Sequence, residues 1–235
     1  MRSATELGAR LPRWLRKTVL HFEVCMEDAV AQFANSMPAG ARLLDAGAGE
    51  CRYAGAFAKQ RYTAVDLGVG DEQWNYGRLD ALADLSALPF RAGCFGAAVN
   101  LVTIEHLKDP AASLREIARV LAPGAPLLLV APHEWEEHQT PHDYFRFTRY
   151  GLSYLLTQAG FEDVNIRPVG GYFRLLGRRL LNGLQFFMGG WRWILFLPAA
   201  TLLVPPALFL PLLDPLDDKR NFTLGFICHA KRSSV

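Results

Sequence analysis

The segment that most constrains the fold runs from Arg42 to Cys51, where an apolar stretch gives way to small residues. Asp45 ends the apolar stretch, and Gly47 and Gly49 follow it. Glycines let the backbone turn sharply and approach a ligand without interference from a Cβ atom. The next residues, 52–60, can form a helix whose first N–H groups favour an anionic group. A strand, a tight turn and a helix start in this order are typical of nucleotide-binding α/β domains.

A second short strand, Tyr62 to Asp66, helps to separate the candidate cofactors. It ends in a carboxylate at the spacing from the glycines at which such folds place the acid that holds the ribose hydroxyls. A dinucleotide-binding turn requires a third glycine where this chain has Arg52, whose bulk obstructs close packing. Asp45 would repel a pyrophosphate, but it can accept hydrogen bonds from an ammonium group. These features favour S-adenosylmethionine, which carries an ammonium group and no phosphate.

Three acidic motifs in the same order resemble the class I S-adenosylmethionine-dependent methyltransferases, in particular the type 11 small-molecule group. The motifs are Asp45-Ala-Gly-Ala-Gly49, Asp66, and the run from Ala83 to Phe90. The resemblance extends from about Ala41 to Tyr172 and resumes near Asn221.

The resemblance assigns roles to individual residues. It implies that Gly47 and Gly49 line the methionine moiety and that Asp45 lies near its amino group. It also implies that Asp66 binds the ribose, and that Asp84 with the backbone of Leu85 contacts the adenine edge. The predicted cofactor-binding residues are Asp45, Gly47, Gly49, Asp66, Asp84, Leu85 and Asn100.

Apolar strands alternate with amphipathic helices along most of the chain. Asp109-Pro110 predicts the start of one helix, and Thr148 predicts the N-cap of another that stops at Gly160. A lead helix is predicted over 14–34, and further strands over 79–85, 95–103, 125–131, 161–169 and 222–231. We predict an α/β, Rossmann-like methyltransferase fold. It has a mostly parallel seven-stranded sheet, helices on both faces and an apolar insertion before the last strand.

The predicted domain organisation has three parts. Residues 1–36 form an N-terminal helical segment. Residues 37–171 together with 221–235 form the S-adenosylmethionine-binding domain, and residues 172–220 form an apolar insertion that we expect to be membrane-associated.

Three segments reach the carboxyl ends of the predicted strands with groups capable of chemistry. They cover 100–106, 132–142 and 141–148, and the last resembles a Pro-His-Asp-Tyr-x-Arg-Phe-Thr pattern that lies on the acceptor side in bacterial methyltransferases of this group. Methyl transfer mainly requires alignment of acceptor and methyl group, and a base only where the acceptor is protonated.

His142, Tyr144 and His106 are the catalytic candidates on this side. Structural roles remain as alternatives. The pair Glu105-His106 can cap a helix and pack at a strand end, and His142-Asp143 can form a purely structural hydrogen-bonded pair.

The densest group of metal-binding side chains lies in the loop after residue 132. Its spacing matches no familiar zinc signature, and charged loop residues are usually solvated, so no metal site is predicted. Four scattered cysteines likewise indicate neither a zinc site nor a disulfide framework. The loop residues are His133, Glu134, Glu136, Glu137, His138 and His142.

The stretch from Trp193 to Leu213 contains no charged residue and, as one helix, is long enough to cross a bilayer core. The chain must return to form its last strand, however, so both basic flanks lie on one side of any membrane, as expected for a cytoplasmic face. Pro205-Pro206 near the middle predicts the turn of a re-entrant hairpin. The alternatives are an apolar lid, a dimer interface and a true span.

The sequence therefore predicts a methyltransferase at the cytoplasmic face of a membrane, acting on a small lipid-linked or apolar acceptor. The formal net charge of +2 does not indicate binding to nucleic acid. Three alternatives remain open. These are a soluble methyltransferase for a polar metabolite or sugar, a non-catalytic binding or assembly subunit that retains the fold, and a homodimer built on the apolar segment.

Overall fold

The computed structural model describes residues 11–70 and 73–234, so the first ten residues of the predicted N-terminal segment lie outside it. A seven-stranded sheet in the order β3-β2-β1-β4-β5-β7-β6 organises the chain. The strands are β1 Arg42–Ala46, β2 Arg61–Asp66, β3 Ala81–Leu82, β4 Ala97–Leu101, β5 Pro126–Pro132, β6 Phe161–Val169 and β7 Gly225–Arg232. The helices are α1 Arg13–Val19, α2 His21–Ser36, α3 Pro110–Val120, α4 Arg149–Gln158, α5 Tyr172–Gly183 and α6 Trp193–Phe209.

The centre of the sheet is parallel. Leu44 of β1 lies opposite Thr63 of β2 on one side and Ala98 of β4 on the other. The pairs β2–β3 and β4–β5 are parallel as well. The strand order changes direction between β1 and β4, and ligands of open α/β sheets bind at the carboxyl ends of the strands at such a point. The predicted Rossmann-like fold is confirmed.

The core lies around the central strands. Leu43 and Leu44 of β1 and the residues 127–132 of β5 are all buried. Leu114 and Ile117 of α3 are buried in the same apolar cluster. Strands covered on both faces have continuous apolar sequences rather than alternating ones, which explains the runs that mark these strands in the sequence.

Two predicted helix starts are confirmed by their caps. The Asp109 carboxylate accepts a hydrogen bond from the Ala112 N–H at 2.8 Å, and the Thr148 hydroxyl accepts one from the Gly151 N–H at 3.1 Å. Each cap satisfies an N–H group that has no partner within its helix.

Three predicted elements are shorter or broken in the structure. The helix expected over 52–60 is wrong, because only a 3₁₀ turn, Ala54–Phe57, forms there. Cys51 has a φ of 57°, which is incompatible with a right-handed helix at that point. The lead helix is split into α1 and α2 at Leu20, and the third strand contains only two residues.

Contacts divide the chain into two compact units. One unit, called here the sheet unit, contains Asp28–Arg167 and the chain from Phe226 onward. The other, the helical unit, contains Pro168–Gly225 and the described residues up to Glu27. The predicted division into an N-terminal segment, a cofactor-binding domain and an insertion remains a prediction.

Within the helical unit, α5 and α6 pack against each other. A Cβ atom at Gly177 would lie 2.8 Å from the Ala207 carbonyl oxygen, so the two backbones approach closely there. The chain between the helices passes through Gly189 and Gly190, which have φ values of 156° and 53°.

The turn predicted at Pro205-Pro206 is wrong, because α6 continues through both prolines. Proline favours a φ near that of a helix, whereas a left-handed φ favours glycine.

Ion pairs hold the helical unit together. Arg178 contacts the Glu23 carboxylate at 2.9 Å, and Arg174 contacts Asp214 at 3.3 Å. Asp214 is buried and also accepts a hydrogen bond from the Gly171 N–H at 3.1 Å. Two arginines of the predicted basic flank therefore have acidic partners inside this unit.

The apolar side chains of α6 are mostly exposed. Only Ala207 is buried in this helix, while the side chains of Ile194 and Leu202 are 79% and 73% exposed. The segment Gly190–Leu216 is the one helical stretch among the described residues that is long and apolar enough to cross a membrane.

Candidate active site

The turn after β1 is fixed by a close contact. Gly47 has a φ of 89°, and a Cβ atom at this position would lie 2.2 Å from the Thr103 side chain. The Thr103 hydroxyl donates a hydrogen bond to the Gly47 carbonyl oxygen at 3.1 Å. Only glycine satisfies both the backbone angle and the space, so the turn at the end of β1 is locked against the segment after β4.

Asp66 connects the two predicted cofactor motifs. Its carboxylate accepts hydrogen bonds from the Gly49 N–H at 3.0 Å and the Gly68 N–H at 2.8 Å. A carboxylate can accept about four hydrogen bonds, so acceptor positions remain for a ligand such as a pair of hydroxyl groups. The structure thus brings Gly49 and Asp66 together at the carboxyl ends of β1 and β2.

Asp45 lies beneath this turn and is only 3% exposed. The Tyr62 hydroxyl donates a hydrogen bond to its carboxylate. Burial raises the pKa of the Asp45 carboxyl to about 7, because the charged form loses its hydration, and the charge of Asp66 adds to the effect while the Tyr62 hydrogen bond opposes it. A cation placed nearby would favour the charged form.

Asn100 supplies an unsatisfied acceptor in the same region. It is buried, and its amide nitrogen donates to the Ala46 carbonyl oxygen at 2.7 Å. Its side-chain oxygen has no hydrogen-bond partner among the described residues. Leaving a buried acceptor unsatisfied costs about 1–3 kcal/mol, so this atom suits a donor group on a ligand.

Asp84 forms a tight local turn after β3. One carboxylate oxygen accepts hydrogen bonds from both the N–H and the hydroxyl of Ser86, each at 2.8 Å. The following residue, Leu85, is buried. The carboxylate of Asp84 and the Leu85 backbone are thereby held in one arrangement.

In the loop after β2, Trp74 lies against the glycine turn and Tyr76 bonds within the loop, and sequence reasoning missed both. A Cβ atom at Gly49 would lie 3.0 Å from the Trp74 ring. The Tyr76 hydroxyl accepts a hydrogen bond from the Gly70 N–H at 2.8 Å. Two aromatic residues in an otherwise small and polar loop were the available signal.

A buried carboxylate and two histidines meet at the end of β4. The 3₁₀ turn Ile104–His106 places the fully buried Glu105 beside the rings of His106 and His138. One Glu105 oxygen lies 3.6 Å from Nε2 of His106 and 3.7 Å from Nε2 of His138. The two rings are perpendicular, with centroids 4.7 Å apart. Sequence reasoning named His106 as a candidate but did not connect it with His138.

Asp143 holds this group from the other side. It pairs with Arg146 through two contacts of 2.6 and 2.7 Å and accepts a hydrogen bond from the His138 N–H at 2.9 Å. Burial alone would raise the pKa of Asp143, but Arg146 and His138 lower it to about 2. Burial likewise opposes the effect of Glu105 on His138, and the net result is a raised pKa of His138. The partners of Asp143 are therefore Arg146 and His138, not His142 as the structural alternative supposed.

His142 and Tyr144 form a more exposed pair, with Nδ1 of His142 lying 3.1 Å from the Tyr144 hydroxyl. The backbone carbonyl of His142 accepts a hydrogen bond from Nδ1 of His106 at 2.7 Å. His133 lies apart and donates to the Phe147 carbonyl oxygen at 2.8 Å. Of the histidines in the loop after β5, only His138 joins Glu105 and His106.

Comparison with known proteins places this fold. Residues 44–129 match the family model of a methyltransferase domain. A curated ubiquinone biosynthesis O-methyltransferase from Xanthomonas axonopodis pv. citri is 34% identical over 106 residues, which is 39% of this chain and 43% of the relative. The match thus spans less than half of that protein's length.

Solved structures agree with the fold. The [4+2]-cyclase SpnF has 20% identity and a TM-score of 0.57, with 88% of this chain and 82% of that chain covered. A Haemonchus contortus phosphoethanolamine N-methyltransferase 2 in complex with S-adenosyl-L-methionine has 18% identity and a TM-score of 0.53, covering 87% of this chain and 51% of that one. At these identities the likeness concerns the fold alone.

The strand order and the locked glycine turn define a Rossmann-like domain that binds its ligand at the β1–β4 crevice. Residues 44–129 of this domain match the methyltransferase family model, so this part of the chain is similar to class I S-adenosylmethionine-dependent methyltransferases. One of the solved structures with this fold contains S-adenosyl-L-methionine, and the unsatisfied Asn100 oxygen and the glycine turn would suit the ammonium group and methionine moiety of that molecule.

Proposed function

We propose that this protein transfers the methyl group of S-adenosylmethionine to a small lipid-linked or apolar acceptor at the cytoplasmic face of a membrane. The observation that carries the membrane part is the exposure of α6. An uncharged helix with one buried residue leaves most of its apolar surface without cover from its own unit. Such a surface is typical of contact with lipid or with a partner protein.

The proposed cofactor contacts follow the geometry after β1 and β2. Gly47 and Gly49 allow the methionine moiety to approach the backbone, and Asp66 accepts hydrogen bonds from the ribose hydroxyls. The ammonium group of the cosubstrate would be attracted by the charge of Asp45. It would also donate a hydrogen bond to the unsatisfied oxygen of Asn100. Asp84 and the Leu85 backbone contact the adenine.

His142, Tyr144 and His106 are proposed to act on the acceptor side. Methyl transfer is an in-line displacement at a sulfonium, so these residues would align the acceptor and, where it is protonated, remove its proton. The exposed hydrogen-bonded pair of His142 and Tyr144 supports contact with an acceptor. The His106 side chain is 11% exposed beside Glu105, so it is less accessible to an acceptor than His142 and Tyr144 are.

Membrane attachment is proposed to depend on α6 and on the two tryptophans at and just before its start. Trp191 and Trp193 are exposed near the glycine turn of the helical unit, and tryptophan is favoured at membrane interfaces. Because the contact is mainly apolar, attachment should survive high salt, which screens the remaining cations but not lipid contact.

The test uses the purified full-length chain with anionic lipid vesicles, unlabelled membrane extract and S-adenosylmethionine labelled in its methyl group. We expect calorimetric binding of S-adenosylmethionine, co-sedimentation with vesicles in 1 M salt (about 3 Å Debye length) and label transferred to the lipid fraction. Asp66→Ala should weaken cosubstrate binding by about 2–3 kcal/mol while the protein stays folded. It is the matched control for cofactor dependence.

Other results would point to the alternatives. If the protein binds the cosubstrate, is a monodisperse dimer and does not bind vesicles, then α6 contacts a second copy of the chain instead of a membrane. Label transferred only to water-soluble extract would indicate a polar metabolite or sugar as acceptor. Absence of cosubstrate binding in the folded wild-type protein would leave a binding or assembly role for the domain.

A further inference from the structure

The carboxylate of Glu105 has only the two long contacts with His106 and His138 described above. Its side chain is fully buried, and neither carboxylate oxygen has a hydrogen-bond partner among the described residues. The Nε2 atoms of His106 and His138 lie next to Glu105. They are also buried, and neither has a hydrogen-bond partner among the residues that the structure describes. A buried carboxylate without compensation is strongly unfavourable, so this arrangement calls for a cation among the three groups.

The hydrogen bonds of the histidines fix which ring nitrogen is free. Nδ1 of His106 lies 2.7 Å from the carbonyl oxygen of His142, and Nδ1 of His138 lies 3.1 Å from the carbonyl oxygen of Glu136. A carbonyl oxygen only accepts, so each Nδ1 carries the hydrogen. In the neutral ring, Nε2 then has a lone pair, and both lone pairs belong to atoms beside Glu105.

The separations distinguish a shared ion from direct hydrogen bonds. A charge-assisted N–H···O bond has a length of about 2.7–2.9 Å, but the Glu105 oxygen lies 3.6 and 3.7 Å from the two Nε2 atoms. Two ligand atoms on a tetrahedral ion with bonds of about 2.1 Å are about 3.4 Å apart. The three potential ligand atoms all lie within 4.8 Å of one another.

We propose that Glu105, His106 and His138 bind a divalent transition-metal ion, with zinc as the ion that best suits two imidazoles and one carboxylate. Three protein ligands of this kind leave a fourth coordination position for water. An acceptor oxygen would be able to take the same position, and this extension alone rests on the proposed methyl transfer.

Asp143 provides the support that metal-bound histidines usually have. Its carboxylate lies 3.4 Å from Nδ1 of His138 and 4.0 Å from Nδ1 of His106, on the side of each ring away from the free Nε2. Arg146 in turn fixes Asp143 through two short contacts. Carboxylates and carbonyl groups that orient ligand histidines through the second ring nitrogen are a general feature of protein metal sites.

Zinc binding to the chelator-treated full-length protein tests the proposal. We expect one zinc per chain by elemental analysis, a rise in melting temperature on adding zinc, and reversal by a chelator. Glu105→Gln and His138→Gln should each weaken zinc binding by at least a hundredfold. His133→Gln is the matched control, since His133 bonds the Phe147 carbonyl apart from the cluster, and it should bind zinc as the wild type does. Asp143→Asn should weaken binding by about ten- to a hundredfold.

X-ray absorption spectroscopy of the zinc-loaded wild type identifies the zinc ligands without any variant, so the test does not depend on the variants folding. Nitrogen and oxygen ligands at about 2.0–2.1 Å with imidazole scattering support it. Zinc held equally well by wild type and Glu105→Gln, or sulfur scattering in the spectrum, would overturn it. Because S-adenosylmethionine binding is measured separately by calorimetry, a failed metal test is distinguishable from a failed methyltransferase assignment.

Discussion

The sheet unit and the helical unit both contain long apolar runs, but they cover them differently. In β5 every residue from Leu127 to Pro132 is buried by the chain itself, whereas α6 buries only Ala207. The same kind of side chain therefore stabilises the fold in one unit and remains available for contact in the other. Apolar composition alone does not tell which of the two roles a segment has. The role depends on whether other parts of the chain bury its side chains.

The largest effect should come from the exposed face of α6. Replacing Ile194, Leu197 and Leu202 together by serine removes three apolar side chains, each worth about 1.5–3 kcal/mol when fully buried, so vesicle binding should fall by roughly 4–9 kcal/mol. Leu82→Ser removes an equally exposed leucine from the sheet unit and is the control. Unchanged vesicle binding of the triple variant would mean that α6 does not enter lipid.

A single substitution in each unit sharpens the contrast in stability. Leu44→Ala removes a fully buried side chain from β1 and should lower the free energy of unfolding by about 2–5 kcal/mol. Leu202→Ala on α6 should change it by less than about 0.5 kcal/mol. Denaturant unfolding followed by circular dichroism measures both. A similar loss in the two variants would show that α6 contributes to a folded core after all.

Asp45 makes the sheet unit sensitive to pH. Burial raises its pKa to about 7 in the folded protein, from an ordinary value of 3.8. Without cosubstrate the folded state keeps a proton that the unfolded chain releases between these values, so wild-type stability should decline as pH rises from about 4 to about 7 and then level off. Asp45→Asn removes this decline and should be more stable at pH 8 by up to about 4 kcal/mol.

Unfolding at pH 5 and pH 8 without ligand measures this difference. The ammonium of S-adenosylmethionine should favour the charged carboxylate, so the affinity of the wild type should weaken as pH falls below about 7. Parallel stability profiles for wild type and Asp45→Asn would contradict the role given to this carboxyl.

The smallest effect is expected at the exposed pair of the acceptor side. Tyr144→Phe removes the hydroxyl that lies 3.1 Å from His142 and should lower turnover about tenfold, the value of roughly one hydrogen bond. Affinity for S-adenosylmethionine should stay within twofold of the wild type. Steady-state kinetics and calorimetry separate the two, and an equal loss in both would give Tyr144 a structural role.

Local chemistry explains what the sequence could predict. Gly47 and Gly49 mark their turn because few other residues adopt its angles, and Asp109 and Thr148 mark helix starts because they cap free N–H groups. The buried strands are visible as continuous apolar runs. Each of these signals depends only on residues close together in the chain.

The remaining features depend on contacts that local patterns do not carry. Glu105 meets His138 only because the loop after β5 returns to the end of β4. Asp143 pairs with Arg146 rather than with the adjacent His142, because the guanidinium group donates two hydrogen bonds to the carboxylate at once. Pro205-Pro206 lies inside α6, and the glycines with left-handed φ angles lie before that helix, at Gly189 and Gly190.

The contact between Gly47 and Thr103 has a consequence for how this protein can change. The space for a Cβ atom at residue 47 is already filled by the Thr103 side chain, so residue 47 is not free to vary while Thr103 is present. Thr103 stands directly before the 3₁₀ turn that carries Glu105 and His106. Among descendants of this chain, any substitution at 47 should therefore appear only together with a smaller residue at 103, next to the turn that carries Glu105 and His106.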